Sequence, residues 1–354
     1  MVRPESAEAR LATQSSDAGK AGRAEKPPAV SSKLQKPLKA AQDALNEKKW
    51  QDAVAKLKEA DAMDGKSPYE QYLIDELSGF AYVRLGDYTE AAKYLESSFK
   101  SPYFDKTQQA SRLNALAQIN YQIKNYDKAI EYGNQAIKSG AADADTYTLV
   151  GQAYYTKGDY KGTLKFLNGY VDSLQKRGQA PKEQTLQIML SSCTRLNDSN
   201  CATEALEKLV ARYPKPEYWQ NLVASLFRSQ DSNERTQLQV YRLAAKVDAL
   251  RNPDDFREMA QLAIEQGSPG EAQRILEKGF ARNAFSDQRM KDKTTRLLEQ
   301  AKKLAATDQA QLPKLEKDAA APGTPGDKLV SLGVAYFSYQ QYPKAVDSFK
   351  RALA

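Results

Sequence analysis

The sequence contains no histidine at all. That single absence removes Ser-His-Asp triads, Cys-His dyads, HExxH zinc sites and histidine-ligated haem. Two cysteines, Cys193 and Cys201, are too few for a four-cysteine zinc site, an iron–sulfur cluster or the disulfide framework of a small secreted domain. No metal and no cofactor is therefore expected. Apolar runs are short and broken by Lys, Asp or Gln, far below the roughly 18 residues that a membrane-spanning helix needs. The apolar h-region of roughly 7–15 residues that marks a secretory signal is lacking as well, so the protein stays inside the cell or its start is incomplete.

What is present suits a folded soluble chain: 354 residues, 41% hydrophobic and 27% charged, with 20 tyrosines. Residues 1–36 stand apart. They are rich in Ala, Ser, Lys, Pro and Gly, lack aromatics, and carry seven Lys/Arg against four acids, which predicts a disordered arm. Of the total charge of +7, that arm holds +3 and the other 318 residues only +4. So slight an excess argues against a nucleic-acid binder, which clusters Lys and Arg in a stripe.

Residues 37–354 repeat. A small residue recurs at Ala53, Ala91, Ala129, Thr163, Ala202, Ala272 and Ala345. Three positions earlier stand Trp50, Tyr88, Tyr126, Tyr160 and Tyr342 in five of the seven units. Twelve positions earlier comes another small residue in six: Ala41, Gly79, Ala117, Gly151, Ala260 and Gly333. The spacings between anchors are 38, 38, 34, 39, 70 and 73, and the last two, near twice the others, predict hidden degenerate units at about 217–250 and 287–318. Tyr147, Val150, Gly151 and Tyr154 fall at helical spacing, as do Thr163, Leu164, Leu167 and Tyr170, with Lys157-Gly158-Asp159 as a turn between them. Each unit therefore reads as a helical hairpin, and one hairpin buries its apolar face only by stacking on another.

This order of residues resembles the tetratricopeptide repeat over nearly all of the chain after residue 36. The resemblance implies an all-α, right-handed superhelical solenoid of about nine hairpins that binds proteins without catalysis. More narrowly, KKWQDAVAKLKEADA, ALEKLVARYPKPEYWQNLV and DFREMAQLAIEQGSPGEAQRILEKGF are similar to uncharacterised exported bacterial members of the family, which implies a periplasmic location; the missing signal leaves the cytoplasm as the alternative. In the family, first helices line a concave groove that holds a peptide or a partner helix. The positions this implies here are Phe80, Asn114, Gln118, Tyr121, Gln122, Thr148, Gln152, Tyr155, Gln187, Arg195, Gln220, Phe227 and Arg228, with Gln261 and Phe337 beyond. Amides satisfy peptide backbone groups, and aromatics and Arg supply anchoring area. The bland alternative is a solvated inner face. The Lys and Asn set that grips a C-terminal carboxylate in some members is not present, because Asn114 and Gln118 have no Lys beside them.

Two other classes remain as alternatives, an RNA-binding helical-repeat protein and, further off, an enzyme. Acids such as Glu59, Asp61, Glu90 and Glu131 fall on hairpin surfaces and do not form a catalytic pair. Cys193 and Cys201 flank the turn Leu196–Asn200, so a disulfide is expected if the protein is exported, and two small apolar fillers if it is kept reduced. The last unit, with Tyr336, Tyr342, Ala345 and Phe349, is well formed and has no capping helix after it. That predicts an incomplete C-terminus and self-association through an exposed apolar side.

Overall fold

The computed structural model describes residues 28–228, 234–321 and 323–353. Among these residues all regular structure is helical: seventeen α-helices and one short 3₁₀ turn. They pair in chain order as α1 (Ser32–Asn46) with α2 (Trp50–Asp61), α3 (Pro68–Leu85) with α4 (Tyr88–Lys100), α5 (Gln109–Gln122) with α6 (Tyr126–Lys138), and α7 (Ala144–Thr156) with α8 (Tyr160–Lys176). There follow α9 (Glu183–Arg195) with α10 (Ser199–Arg212), α11 (Pro216–Arg228) with α12 (Glu234–Lys246), and α13 (Pro253–Glu265) with α14 (Pro269–Ala281). A single helix α15 (Gln288–Ala319) precedes the last pair, α16 (Gly326–Ser338) and α17 (Tyr342–Leu353). Two compact units divide the chain between Ala205 and Leu206, within α10.

The turns show how local chemistry ends one helix and starts the next. Five residues before each small anchor of the repeat, the backbone takes a left-handed φ: Lys48, Gly86, Lys124, Gly158, Asn197, Gly267 and Gln340 lie between 55° and 84°. The following N–H then donates back to a carbonyl five residues earlier, from Lys49 to Ala44, Asp87 to Tyr82, Asn125 to Asn120, Asp159 to Tyr154, Asp198 to Cys193, Ser268 to Ala263 and Gln341 to Tyr336, at 2.7–3.0 Å. This is the Schellman closure, which satisfies carbonyls that the helix end leaves orphaned. In four turns the same residue caps the second helix. Asp87, Asn125, Asp159 and Asp198 accept side-chain hydrogen bonds from Glu90, Lys128, Gly162 and Cys201 N–H groups. Trp50, Tyr88, Tyr126, Tyr160 and Tyr342 each open a second helix, where a large ring covers the side of the turn.

Where the two helices of a hairpin cross, volume is exchanged between two positions. A Cβ on Gly151 would stand 2.6 Å from Leu167, and one on Gly79 2.5 Å from Leu95. The large side chain of the second helix thus occupies the room the glycine leaves. In the α5–α6 hairpin the small residues are Ala117 and Gly133, and it is Val150 of the next hairpin that fills the space over Gly133. Within the first unit this continuity gives a core that includes Leu34, Leu57, Ile74, Leu95, Leu113 and Leu116, all buried.

Two expectations need correction. The arm predicted for 1–36 ends earlier, since α1 begins at Ser32 with Pro37 inside it; residues 1–27 lie outside the described residues. Burial outweighs the hydrogen bond that Pro37 removes, because Leu34, Leu38, Ala41 and Leu45 form one buried face of α1. Ser31 at its start donates from both N–H and Oγ to Glu70, at 2.8 and 2.6 Å. In place of the hairpin expected at 287–318, α15 runs unbroken for 32 residues with Pro313 inside it. No residue of α15 takes the left-handed conformation that the seven turns named above use, and its Lys, Gln, Ala, Leu and Glu residues are helix formers.

Because α15 is single, the second unit closes differently. Helix α16 ends against the start of α14: Ser338 Oγ accepts from Gly270 N–H at 3.0 Å, and the Ser338 carbonyl accepts from Arg274. Tyr339 donates to Asp308 at 2.6 Å, which ties the same corner to α15. The last hairpin leaves Val330, Tyr342, Val346 and Leu353 exposed.

Candidate protein-interaction surface

In the first unit the first helices lie side by side, α1 against α3, and α5 against α7, which in turn meets α9. The positions expected to line a groove from Phe80 to Arg195 fall on α3, α5, α7 and α9. Phe80 packs edge-on against Trp50 with ring centroids 6.2 Å apart. Tyr121 and Tyr155 are half-buried, and each is propped by the tyrosine that opens the second helix of its own hairpin: Tyr126 at 5.5 Å and Tyr160 at 5.3 Å. Exposed Arg195 hydrogen-bonds to Tyr155, which raises the arginine pKa above its ordinary value. Gln118 is half-buried and Gln122 exposed beside them.

Other groove positions spend their polar atoms inside the protein. Asn114 donates to the Ala141 carbonyl at 3.1 Å and accepts from Thr146 Oγ1 at 2.7 Å, which fixes the loop before α7. Thr148 is buried, donates to the Ala144 carbonyl and stands 3.1 Å from Thr185 Oγ1, so that it joins α7 to α9. Gln152 and Gln187 reach neighbours one turn away, Thr156 and Glu183, at 3.4 Å each.

In the second unit Phe227 lies 4.7 Å from the Tyr241 ring, Gln220 is half-buried and Arg228 exposed. Gln261 bonds Glu265 one turn on. Phe337 stands under the guanidinium of Arg242 at 4.7 Å, and Arg242 forks onto Glu271 at 2.6–3.1 Å.

Sequence reasoning missed Arg84. It sits four residues after Phe80 on α3, and its guanidinium carbon is 5.1 Å from the Phe80 ring and 5.8 Å from Trp50. The i,i+4 spacing from Phe80 was the available signal. Also missed was a buried Arg112, which donates to Ser98 Oγ at 2.7 Å, pairs with Glu76, and lies 4.9 Å from the Phe104 ring. It ties α3, α4 and α5 together.

A cleft of about 410 Å³ between α4 and the α5–α6 turn is lined by Glu96, Asn120 and Lys128 among others. A second, of about 560 Å³, is lined by Tyr147, Tyr170 and Arg177. Among the described residues no group of three or more Cys, Asp or Glu side chains is placed to hold a metal, and no helix is long and apolar enough to cross a membrane. Cys193 and Cys201, at the end of α9 and the start of α10, are joined in a disulfide with Cα atoms 5.5 Å apart.

Residues 76–145, from the middle of α3 to the start of α7, match the tetratricopeptide repeat. The chain carries tetratricopeptide repeats. Among solved structures, a tetratricopeptide repeat protein from Parabacteroides merdae is 12% identical, with 77% of this chain and 99% of that one covered and a TM-score of 0.37. The C-terminal part of a TPR repeat-containing protein from Cytophaga hutchinsonii is 13% identical, covering 72% and 98%, with a TM-score of 0.39. MamA from Desulfovibrio magneticus is 19% identical, covering 63% and 97%, with a TM-score of 0.28. No curated protein sequence matches this tetratricopeptide-repeat chain.

Proposed function

We propose that this protein is a non-catalytic scaffold whose first unit holds an extended segment of a partner protein along its first helices. Tetratricopeptide-repeat folds commonly serve protein interaction. The observation that carries the reading is the pair Tyr121 and Tyr155, on successive first helices α5 and α7 and each braced by a second tyrosine. A braced, half-buried aromatic loses little entropy on binding, which is the character of an interface anchor. Gln118 and Gln122 beside them offer both donors and acceptors to a peptide backbone.

The test compares the native protein with a Tyr121→Ala, Tyr155→Ala variant in affinity capture from native extract, with circular dichroism as the folding control. The variant is expected to keep its helical signal and to lose a protein that the native chain retains. A variant that captures the same proteins at the same yield overturns the groove reading.

A further inference from the structure

Among the described residues, the buried and half-buried arginines have anionic or carbonyl partners, with one exception. Arg112 is paired with Glu76, Arg242 with Glu271 and Arg257 with Asp254, and Arg274 donates to the Ser338 carbonyl. Arg84, also half-buried, has neither a carboxylate nor a hydrogen-bond acceptor among the described residues, and its Nε is buried without a partner. Its only neighbours of note are two ring faces, Phe80 and Trp50. Cation–π contacts hold a guanidinium over the rings and leave its N–H edge unbonded. Arginine in that state is a pre-oriented fork for a carboxylate, since the rings fix its plane before the ligand arrives.

The surrounding charge agrees. The expected groove positions between Phe80 and Arg195 are amides, hydroxyls and tyrosines, and the one acid that touches them, Glu183, bonds Gln187 on α9, far along the chain from Arg84. Glu76, one turn before Phe80, is already neutralised by Arg112. Among the described residues no carboxylate therefore opposes the charge of Arg84, while Arg195 on α9 hydrogen-bonds the Tyr155 hydroxyl. We propose that Arg84, backed by Trp50 and Phe80, receives an aspartate or glutamate side chain of an acidic partner segment. This rests on the groove reading above and adds the chemistry of the partner.

Trp50 reports on the site directly. The full chain with Trp219→Phe keeps Trp50 as its single tryptophan, and its emission is followed on titration with end-capped octaglutamate, octaglutamine and octalysine. The expected result is binding of octaglutamate at least tenfold tighter than of the other two, weakening with salt. Arg84→Gln is expected to remove about tenfold of that affinity, and Arg84→Lys, which keeps the charge without the fork, to retain part of it. Equal affinity for octaglutamate and octaglutamine, or an unchanged affinity in Arg84→Gln, overturns the proposal. The two readings fail separately. Loss of every peptide in Tyr121→Ala, Tyr155→Ala with no effect of Arg84→Gln keeps the groove and rejects the acidic partner. Octaglutamate binding that needs Arg84 but neither tyrosine keeps the carboxylate site and rejects the groove.

Discussion

The backbone N–H of Gly270 donates to the hydroxyl of Ser338 at 3.0 Å, a bond between residues 68 apart in sequence. Gly270 stands at the start of α14, where helix N–H groups have no partner of their own. Ser338, the last residue of α16, thus caps a helix two elements away, past α15. A Cβ on Gly270 would lie 2.5 Å from the Tyr339 ring and 2.9 Å from the Ser338 carbonyl, so the glycine permits the approach. Ser338→Ala removes the acceptor and leaves a buried donor, at a cost of about 1–3 kcal/mol. The expected readout is a lower denaturant midpoint with an unchanged slope; an unchanged midpoint would mean that the N–H finds another partner.

The left-handed turn position gives a prediction of opposite sign. Lys124 adopts φ 62° between α5 and α6, a conformation that costs a residue with a Cβ roughly 1–2 kcal/mol. Lys124→Gly removes that cost and adds unfolded-chain entropy, so a net stabilisation of about 0.5–1 kcal/mol is expected in thermal unfolding. The same substitution at Ala129, the buried anchor of that hairpin, is expected to destabilise.

How far the sequence disclosed the fold follows from the range of each interaction. The turns were readable because their closing bonds span five residues, and the bond from Asp159 to Tyr154 needs nothing outside its own hairpin. The helical period of the first helices does not by itself show that Tyr121 and Tyr155 are each propped by the tyrosine opening the next helix. Thr148 was read as a groove residue and is buried, because Thr185, 37 residues on, takes up its hydroxyl. Arg84 was passed over: its interest lies in lacking an acid, and only three dimensions show which acids come near. The unbroken course of α15 was hidden because the spacing of anchors counts residues, and 32 residues fit a hairpin or one helix equally well.

Glu70 links pH to the first hairpin. Its carboxylate accepts from the Ser31 hydroxyl and from the Ser67 and Ser31 N–H groups, which hold its pKa down to about 2. Because the folded value lies below the unfolded one near 4.5, its contribution is complete above pH 4.5 and is lost as pH falls from there towards 2. Glu70→Gln is expected to lower the melting temperature at pH 7 and to leave it closer to the native value at pH 3. A native and a variant protein that differ equally at both pH values would contradict this.

The bridge between Cys193 and Cys201 closes a short loop around the α9–α10 turn, with eight residues of separation. The chain-entropy account assigns about 2.5 kcal/mol to a loop of this length. Protein prepared in an oxidising compartment is expected to show no free thiols after denaturation without reductant, and a lower melting temperature once reductant is added. Two titratable thiols in such a preparation would reject the bridge.

A turn that ends one helix and caps the next within a handful of residues has a genetic consequence. A segment of 34–39 residues cut between such turns carries most of its own start and stop instructions, so duplication or deletion of one segment disturbs few helix ends outside it. The corner held by Gly270 and Ser338 lacks that independence. Inserting or removing a hairpin between α14 and α16 would separate the two residues, and this stretch of the gene is therefore a place where copy number is locked.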